Sequence, residues 1–128
     1  MPSLVVDSWA WVEYLDGSAS GKKADEALQT ASELWTSAAS VAEVVSKYRR
    51  SGRDEEPAVR AITVLSKVGV PSLEDARQAG RIHAELKATA PNFSFADSFV
   101  LQLARKVGAK VLTGDPDFRG LKEAVVIG

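Results

Sequence analysis

The sequence predicts an α/β fold: a parallel sheet with helices packed on both faces. Three observations carry that expectation. A short apolar, β-branched run, Leu4-Val5-Val6, ends abruptly in Asp7, the form of a buried strand that delivers an acid at its own C-terminal end. A second run of the same form, Lys110-Val111-Leu112-Thr113, leads into Gly114-Asp115. Between the two, stretches of helical spacing alternate with brief strand-like runs, which calls for parallel strands joined by helical crossovers.

Taken in order, the first strand passes at Ser8 into a short helix to Leu15, ended by the loop signal Asp16-Gly17-Ser18. A second helix is expected from Lys22 to Ala31, where Ala24, Ala27, Leu28 and Ala31 recur at helical spacing. Leu34-Trp35-Thr36 forms a brief strand. The third helix, Ser40 to Arg50, is stopped by Ser51-Gly52, and a fourth runs from Glu56 to Lys67 with Ile62 and Leu65 inward. Val68-Gly69-Val70-Pro71 makes a poor strand, suited only to a sheet edge because Pro71 cannot donate to a ladder. A long helix from Leu73 to Ala90 is broken by Pro91. In the helix from Ser94 to Val107, Phe95, Phe99, Leu103 and Val107 recur on one face. Arg105 and Lys106 suit the dipole of its last turn, and Gly108 suits its cap. After the strand Lys110 to Thr113 come a turn over Pro116 to Arg119 and a last strand, Ala124 to Ile127.

Composition sets the limits. A chain of 128 residues, 45% hydrophobic and 26% charged, fits one domain over residues 1–128, long enough to bury roughly two-thirds of its unfolded surface. The absence of cysteine excludes a disulfide framework and thiolate metal sites. No apolar run approaches the ~20 residues of a membrane span and no signal peptide is visible, so a cytoplasmic address away from membranes is expected. A net charge of −1 gives no global attraction to nucleic acid, and any such contact must come from a local basic patch.

Each acid of interest has an architectural reading. Ser40-Val41-Ala42-Glu43, Ser72-Leu73-Glu74-Asp75 and Ser94-Phe95-Ala96-Asp97 all match the capping box, in which a serine and an acid three residues later satisfy the free amides of a helix start. In Asp115-Pro116 the acid reads as an N-cap with proline at the first helical position. Together the acids say more. In an open parallel sheet the functional crevice lies outside the carboxyl ends of the strands; Asp7 and Asp115 sit at such ends, and Glu43 and Asp97 open helices that start from or beside that edge. Two like charges ~4 Å apart repel by about 4 kcal/mol at an effective dielectric near 20, so clustered carboxylates need a cation. Oxygen ligands without a cysteine or histidine cluster point to Mg2+ or Mn2+ rather than zinc. Asp16, Asp25, Asp54, Glu74, Asp75 and Glu85 read as solvated or capping charges, and the lone His83, within a helix, as surface or packing.

Four pieces in this order resemble the PIN-domain family: Asp7-Ser8 with Trp11-Val12-Glu13-Tyr14-Leu15; Ser40-Val41-Ala42-Glu43-Val44; Phe95-Ala96-Asp97-Ser98; and Leu112-Thr113-Gly114-Asp115-Pro116-Asp117-Phe118. The size is similar to the VapC-type toxins of toxin–antitoxin pairs. The resemblance implies a three-layer fold with a five-stranded parallel sheet in order 3-2-1-4-5, placing the Asp7 and Asp115 strands side by side. It also implies an endoribonuclease dependent on Mg2+ or Mn2+, acting on an RNA substrate, neutralised by a cognate antitoxin protein and expected as a homodimer. Residue by residue, it makes Asp7, Glu43, Asp97 and Asp115 the catalytic and metal-binding acids, Asp117 an auxiliary acid, and Thr113 and Ser8 polar supports. One departure stands out: Trp9 occupies the place, two after the first Asp, where the family usually has a small polar residue.

Lys47, Arg49, Arg50 and Arg53 crowd the end of the third helix, where cations suit the dipole; Arg49 and Arg50 are candidate RNA contacts, which would be made through phosphates. On a helical wheel Trp11, Val12 and Leu15 share a face that Trp9 does not, so Trp11 is expected in the core and Trp9 at a partner or base contact. A receiver domain would need an acidic pair near the first strand, and a haloacid-dehalogenase-like phosphatase a second Asp at position 9; neither is present. A PIN-fold processing nuclease without an antitoxin and a non-catalytic binding module of the same fold remain as alternatives.

Overall fold

The computed structural model describes residues 2–128. Its five parallel strands lie in the order β3-β2-β1-β4-β5, the order the resemblance implied. Along the chain they are β1 (Leu4–Val6), α1 (Ser8–Asp16), α2 (Ala19–Thr30), β2 (Leu34–Ser37), α3 (Ala38–Arg50), α4 (Glu56–Leu65), β3 (Lys67–Gly69), α5 (Leu73–Leu86), α6 (Phe95–Val107), β4 (Lys110–Thr113), a 3-10 turn (Pro116–Phe118) and β5 (Ala124–Val126). Val5 pairs with Val111 and Val6 with Leu112, so β1 and β4 end together.

Side chains alternate across the sheet, as the period of two requires. Leu4, Val6 and Leu112 join Trp11, Val44, Tyr48 and Ile62 in a core beneath α1 to α4, while Val5 and Val111 meet Ile82, Phe93, Val100, Leu101 and Phe118 beneath α5 and α6. Burial on both faces is why β1 reads as a continuous apolar run rather than an alternating one. A relay of hydroxyls ties the first layer together. Trp11 Nε1 donates to Thr36 Oγ1 (3.1 Å), the Thr36 and Ser66 hydroxyls bond at 2.7 Å, and Ser66 Oγ donates to the Ile62 carbonyl (2.7 Å).

Several boundaries differ from the sequence expectations, each for a local reason. The second helix starts at Ala19 because the Ser18 side chain caps it, accepting from Gly21 N at 2.9 Å. Gly21 is needed there: a Cβ would lie 2.0 Å from the Glu13 carbonyl of α1. The third helix starts at Ala38, capped by Ser37 rather than Ser40. The fourth stops at Leu65, since Ser66 is extended (φ −135°, ψ 164°), and Lys67 begins β3; Leu65, expected inward, is exposed at the helix end. The fifth ends at Leu86 rather than Ala90.

Asp75 is neither solvated nor merely a cap. It completes a capping box with Ser72, and its Oδ1 and Oδ2 accept from Gln102 Nε2 and Lys106 Nζ, both at 2.9 Å. The Ser72 amide, then the Lys106 ammonium, hold its pKa down to about 2. This clamp fixes α5 antiparallel to α6. Among the described residues, no helix is long and apolar enough to cross a membrane.

Thr36→Val keeps the volume but leaves the buried Trp11 N–H without an acceptor and Ser66 without its donor. Urea denaturation should show a loss of about 2 kcal/mol. Leu73→Ala, at a residue 81% exposed, should change stability by less than about 0.5 kcal/mol.

Candidate metal centre

Asp7 follows the last residue of β1 and caps α1. Its amide continues the ladder to the Leu112 carbonyl (3.0 Å), which fixes where the side chain emerges. Oδ1 accepts from the Ser8 amide at 2.8 Å, and Oδ2 accepts from Thr113 Oγ1 at 2.7 Å. The same Thr113 oxygen accepts from the Asp115 amide at 3.0 Å. One buried hydroxyl therefore sets both strand-end acids at once. Asp115 caps the 3-10 turn, its Oδ1 accepting from Asp117 N at 2.9 Å.

The other two acids arrive from opposite layers. Asp97 sits in the first turn of α6, where the expected capping box with Ser94 is formed: Asp97 N donates to Ser94 Oγ (3.1 Å) and Ser94 N to Asp97 Oδ2 (2.9 Å). Glu43 comes from α3 and accepts from Ser8 Oγ through Oε1 at 3.1 Å. Here the expected capping box is absent. Ser37 already caps α3, so Glu43 lies beyond the first turn, and the buried Ser40 Oγ has no hydrogen-bond partner among the described residues.

Carboxylate oxygens of Asp97, Asp115 and Asp117 lie within 4.8 Å of one another. Burial and mutual repulsion bind the rest of the group to them. Asp7, 3% exposed, is pushed up to about 7 by burial, against the pull of the Thr113 bond, with Asp97 and then Glu43 adding repulsion. Glu43 is raised by burial, with Asp97 and Asp115 contributing; Asp97 is raised by burial, with Asp115 and Asp117 contributing. Buried and half-buried carboxylates that resist ionisation together, Asp7 held through both oxygens and Glu43 and Asp97 through one each, form an all-oxygen donor set that fits a hard divalent cation.

The structure thus brings Asp7, Glu43, Asp97, Asp115 and Asp117 to one edge, with Ser8 and Thr113 as their hydrogen-bonding supports. Of the two candidate RNA contacts, Arg50 borders the site, in a cleft lined by Ser8, Trp9, Val12, Glu43 and Lys47, and Arg49 projects from α3 outside that cleft. Lys47 shares the cleft from the same helix face, four residues after Glu43, with Arg50 seven after. Arg53 is engaged elsewhere, pairing with Asp16 at 2.8 Å and lying over the Tyr48 ring. Trp9 is half-buried, with its ring against Gly114, where a Cβ would lie 2.5 Å from three ring atoms. The large residue at this position is accommodated by the glycine between Thr113 and Asp115.

The family model of the PIN domain matches residues 4–124. No curated protein matches the sequence. Among solved structures, the chain is similar to a toxin–antitoxin complex from Klebsiella pneumoniae (18% identity, 96% of each chain covered, TM-score 0.77). It is also similar to VapC20 of Mycobacterium tuberculosis, described as a Sarcin-Ricin loop cleaving toxin (19% identity, 98% and 99% covered, TM-score 0.75). A third likeness is to DNA-bound VapBC from Salmonella typhimurium (15% identity, 98% and 97% covered, TM-score 0.72). These are likenesses of fold.

The electrostatics set a sign. A carboxyl whose folded pKa is near 7, against 3.8 in the unfolded chain, is fully stabilising only when protonated. In metal-free protein the melting temperature should therefore fall as pH rises from about 4 to about 7, and Asp7→Asn should flatten that fall. The opposite dependence of Asp75 lies lower, between its folded value of about 2 and its unfolded 3.8. Thermal melts in EDTA at stepped pH measure the difference; identical slopes for wild type and Asp7→Asn would contradict it.

Proposed function

The chain belongs to the PIN domain family, and from that premise we propose that it is a divalent-metal-dependent endoribonuclease serving as the toxin of a toxin–antitoxin pair. The observation that carries the reading is the convergence of Asp7, Glu43, Asp97 and Asp115 at the carboxyl edge of the sheet, where burial first and acidic neighbours second hold Asp7, Glu43 and Asp97 toward their protonated forms. A scaffold gains nothing from gathering buried like charges. Support for a toxin comes from the fold it shares with the Klebsiella toxin–antitoxin complex and the Mycobacterium protein named as a Sarcin-Ricin loop cleaving toxin.

Asp7, Glu43, Asp97 and Asp115, with Asp117 as auxiliary, would hold Mg2+ or Mn2+. When bound, such an ion supplies Lewis-acid charge that activates water at neutral pH and offsets charge on the phosphate and leaving oxygens. The protein supplies the rest. Thr113 ties the Asp7 carboxylate to the Asp115 amide, Asp117 N holds the Asp115 carboxylate, and Ser8 orients Glu43 through Oε1. Ser8 occupies Oε1, which leaves Glu43 Oε2 without a hydrogen-bond partner among the described residues and available to accept a proton from the attacking water. Lys47 and Arg50 meet backbone phosphates by charge, without reading sequence.

Partners follow from the same chemistry. An antitoxin can silence an acidic pocket with an Arg or Lys paired to the carboxylates, while apolar residues cover Trp9 at the pocket wall. A homodimer is supported by the exposed Val64, Leu65, Val68, Val70 and Leu73, which cluster around the end of α4, the edge strand β3 and the start of α5.

Asp7→Asn, Glu43→Gln, Asp97→Asn and Asp115→Asn should each abolish RNA cleavage in folded protein. Asp75→Asn, which has the same local motif far from the cluster, should lower the melting temperature and leave cleavage intact. EDTA should stop cleavage, Mg2+ or Mn2+ should restore it, and either ion should raise the melting temperature because it binds only the folded state. Full activity after exhaustive chelation would end the proposal. For the partner, Trp9→Ala should weaken the antitoxin complex at least about thirtyfold by calorimetric titration; unchanged affinity would confine Trp9 to packing against Gly114.

A further inference from the structure

Phe95 belongs neither to the core nor to the acid cluster. It is the first residue of α6 and 62% exposed, although its helical spacing with Phe99, Leu103 and Val107 pointed inward. One face of its ring is covered by His83 of α5, with ring centroids 4.0 Å apart and planes 17° from parallel. Stacking from behind holds the Phe95 ring in one plane and leaves the opposite face to solvent. That arrangement suits a flat, aromatic ligand better than an aliphatic surface.

We propose that the Phe95–His83 pair is a platform on which an unpaired base of the RNA substrate stacks, next to the phosphate being cut; the inference rests on the endoribonuclease reading above and extends it. Position is the first argument. Phe95 and Asp97 share the first turn of α6, and two successive Cα steps span at most about 7.6 Å. Side chains two apart in a helix leave it in different directions, so the base on Phe95 belongs to a nucleotide flanking the one whose phosphate meets Asp97, reached around the start of α6.

Layering is the second argument. Lys47 and Arg50 lie on α3, in the layer of α1 to α4; Phe95 and His83 lie in the layer of α5 and α6; the acids sit between, over the strand ends. A single strand whose phosphates meet the basic side passes the acids and reaches the aromatic side. Chemistry supports the same path. With a net charge of −1 the protein has no long-range attraction for RNA, and stacking is the contact that adds affinity for single strands without global charge.

Phe95 is also set apart from the aliphatic patch offered for dimerisation. Leu73 begins α5 near the Asp75–Lys106 clamp, while His83 and Phe95 meet at the other end of the helix pair. Stacking reads no hydrogen-bond pattern, so the platform accepts any base, with purines favoured by their larger π-surface.

Single-stranded oligoribonucleotides carrying 2-aminopurine at successive positions test this in Asp7→Asn protein, where cleavage is silent. One position should lose fluorescence on binding, and Phe95→Ala added to that background should restore it. In otherwise wild-type protein, Phe95→Ala should raise KM about tenfold with kcat nearly unchanged, and Phe95→Tyr or Phe95→Trp should rescue it. An abasic residue at the quenched position should raise KM for wild type and add nothing for Phe95→Ala. Melting temperatures should stay equal, as expected for an exposed side chain. Unchanged KM for Phe95→Ala on RNA that wild type cleaves would overturn the platform and leave the nuclease reading standing. A weaker antitoxin complex or dimer with unchanged KM would reassign the ring to a protein contact. Failure of wild type to cleave any RNA with Mg2+ or Mn2+ would instead overturn the nuclease reading itself, and the platform with it.

Discussion

Carboxylates that repel one another are held together at the end of β1, and the remainder of the structure is arranged to make that possible. Asp7 is nearly buried and would rather carry a proton near neutrality, yet its oxygens are fixed by the Ser8 amide and the Thr113 hydroxyl. The sheet supplies the rigidity. β1 and β4 are adjacent, buried on both faces and end in register, so their terminal acids cannot drift apart to relieve the repulsion. Helices from the two opposing layers then deliver Glu43 and Asp97 to the same place.

The devices that hold the acids are ordinary features of helix and turn starts. Asp7 caps α1, Asp97 completes the capping box of α6, and Asp115 caps the 3-10 turn. Each cap uses carboxylate lone pairs to satisfy free amides and leaves others directed toward the centre. Architecture and chemistry are therefore not rival roles for these residues. The cap gives the carboxylate its fixed position, and for Asp7 and Asp97 burial, with neighbouring acids adding to it, gives an unusual affinity for protons. Asp75 shows the contrast: in the same local motif, paired with Lys106 and Gln102, its carboxyl is driven the opposite way.

The strands and acids were legible because they depend on local pattern: β-branched runs that stop at Asp7 and beyond Thr113, and a helical repeat that begins after Ser94. Errors arose where two local signals overlapped or where distance in sequence hid a neighbour. Ser37 and Ser40 both suit a cap, and choosing the later one assigned Glu43 a bond it does not make. Phe95 fits the helical stripe, but it is the first residue of its helix and stacks on His83 rather than on the sheet. The core face of α6 keeps Leu103 from that stripe and is otherwise carried by Val100, Leu101 and Ala104. Lys47 could have been found from its spacing to Glu43. The pairing of Trp9 with Gly114 could not, since it joins residues brought together only when β1 and β4 align.

That pairing leaves the wall of the pocket little slack. The Trp9 ring also approaches Gly128, where a Cβ would lie 3.3 Å from it, so the indole lies between two positions that carry no side chain. A substitution at Gly114 or Gly128 would press the ring toward the acidic pocket and narrow its mouth without altering a single acid.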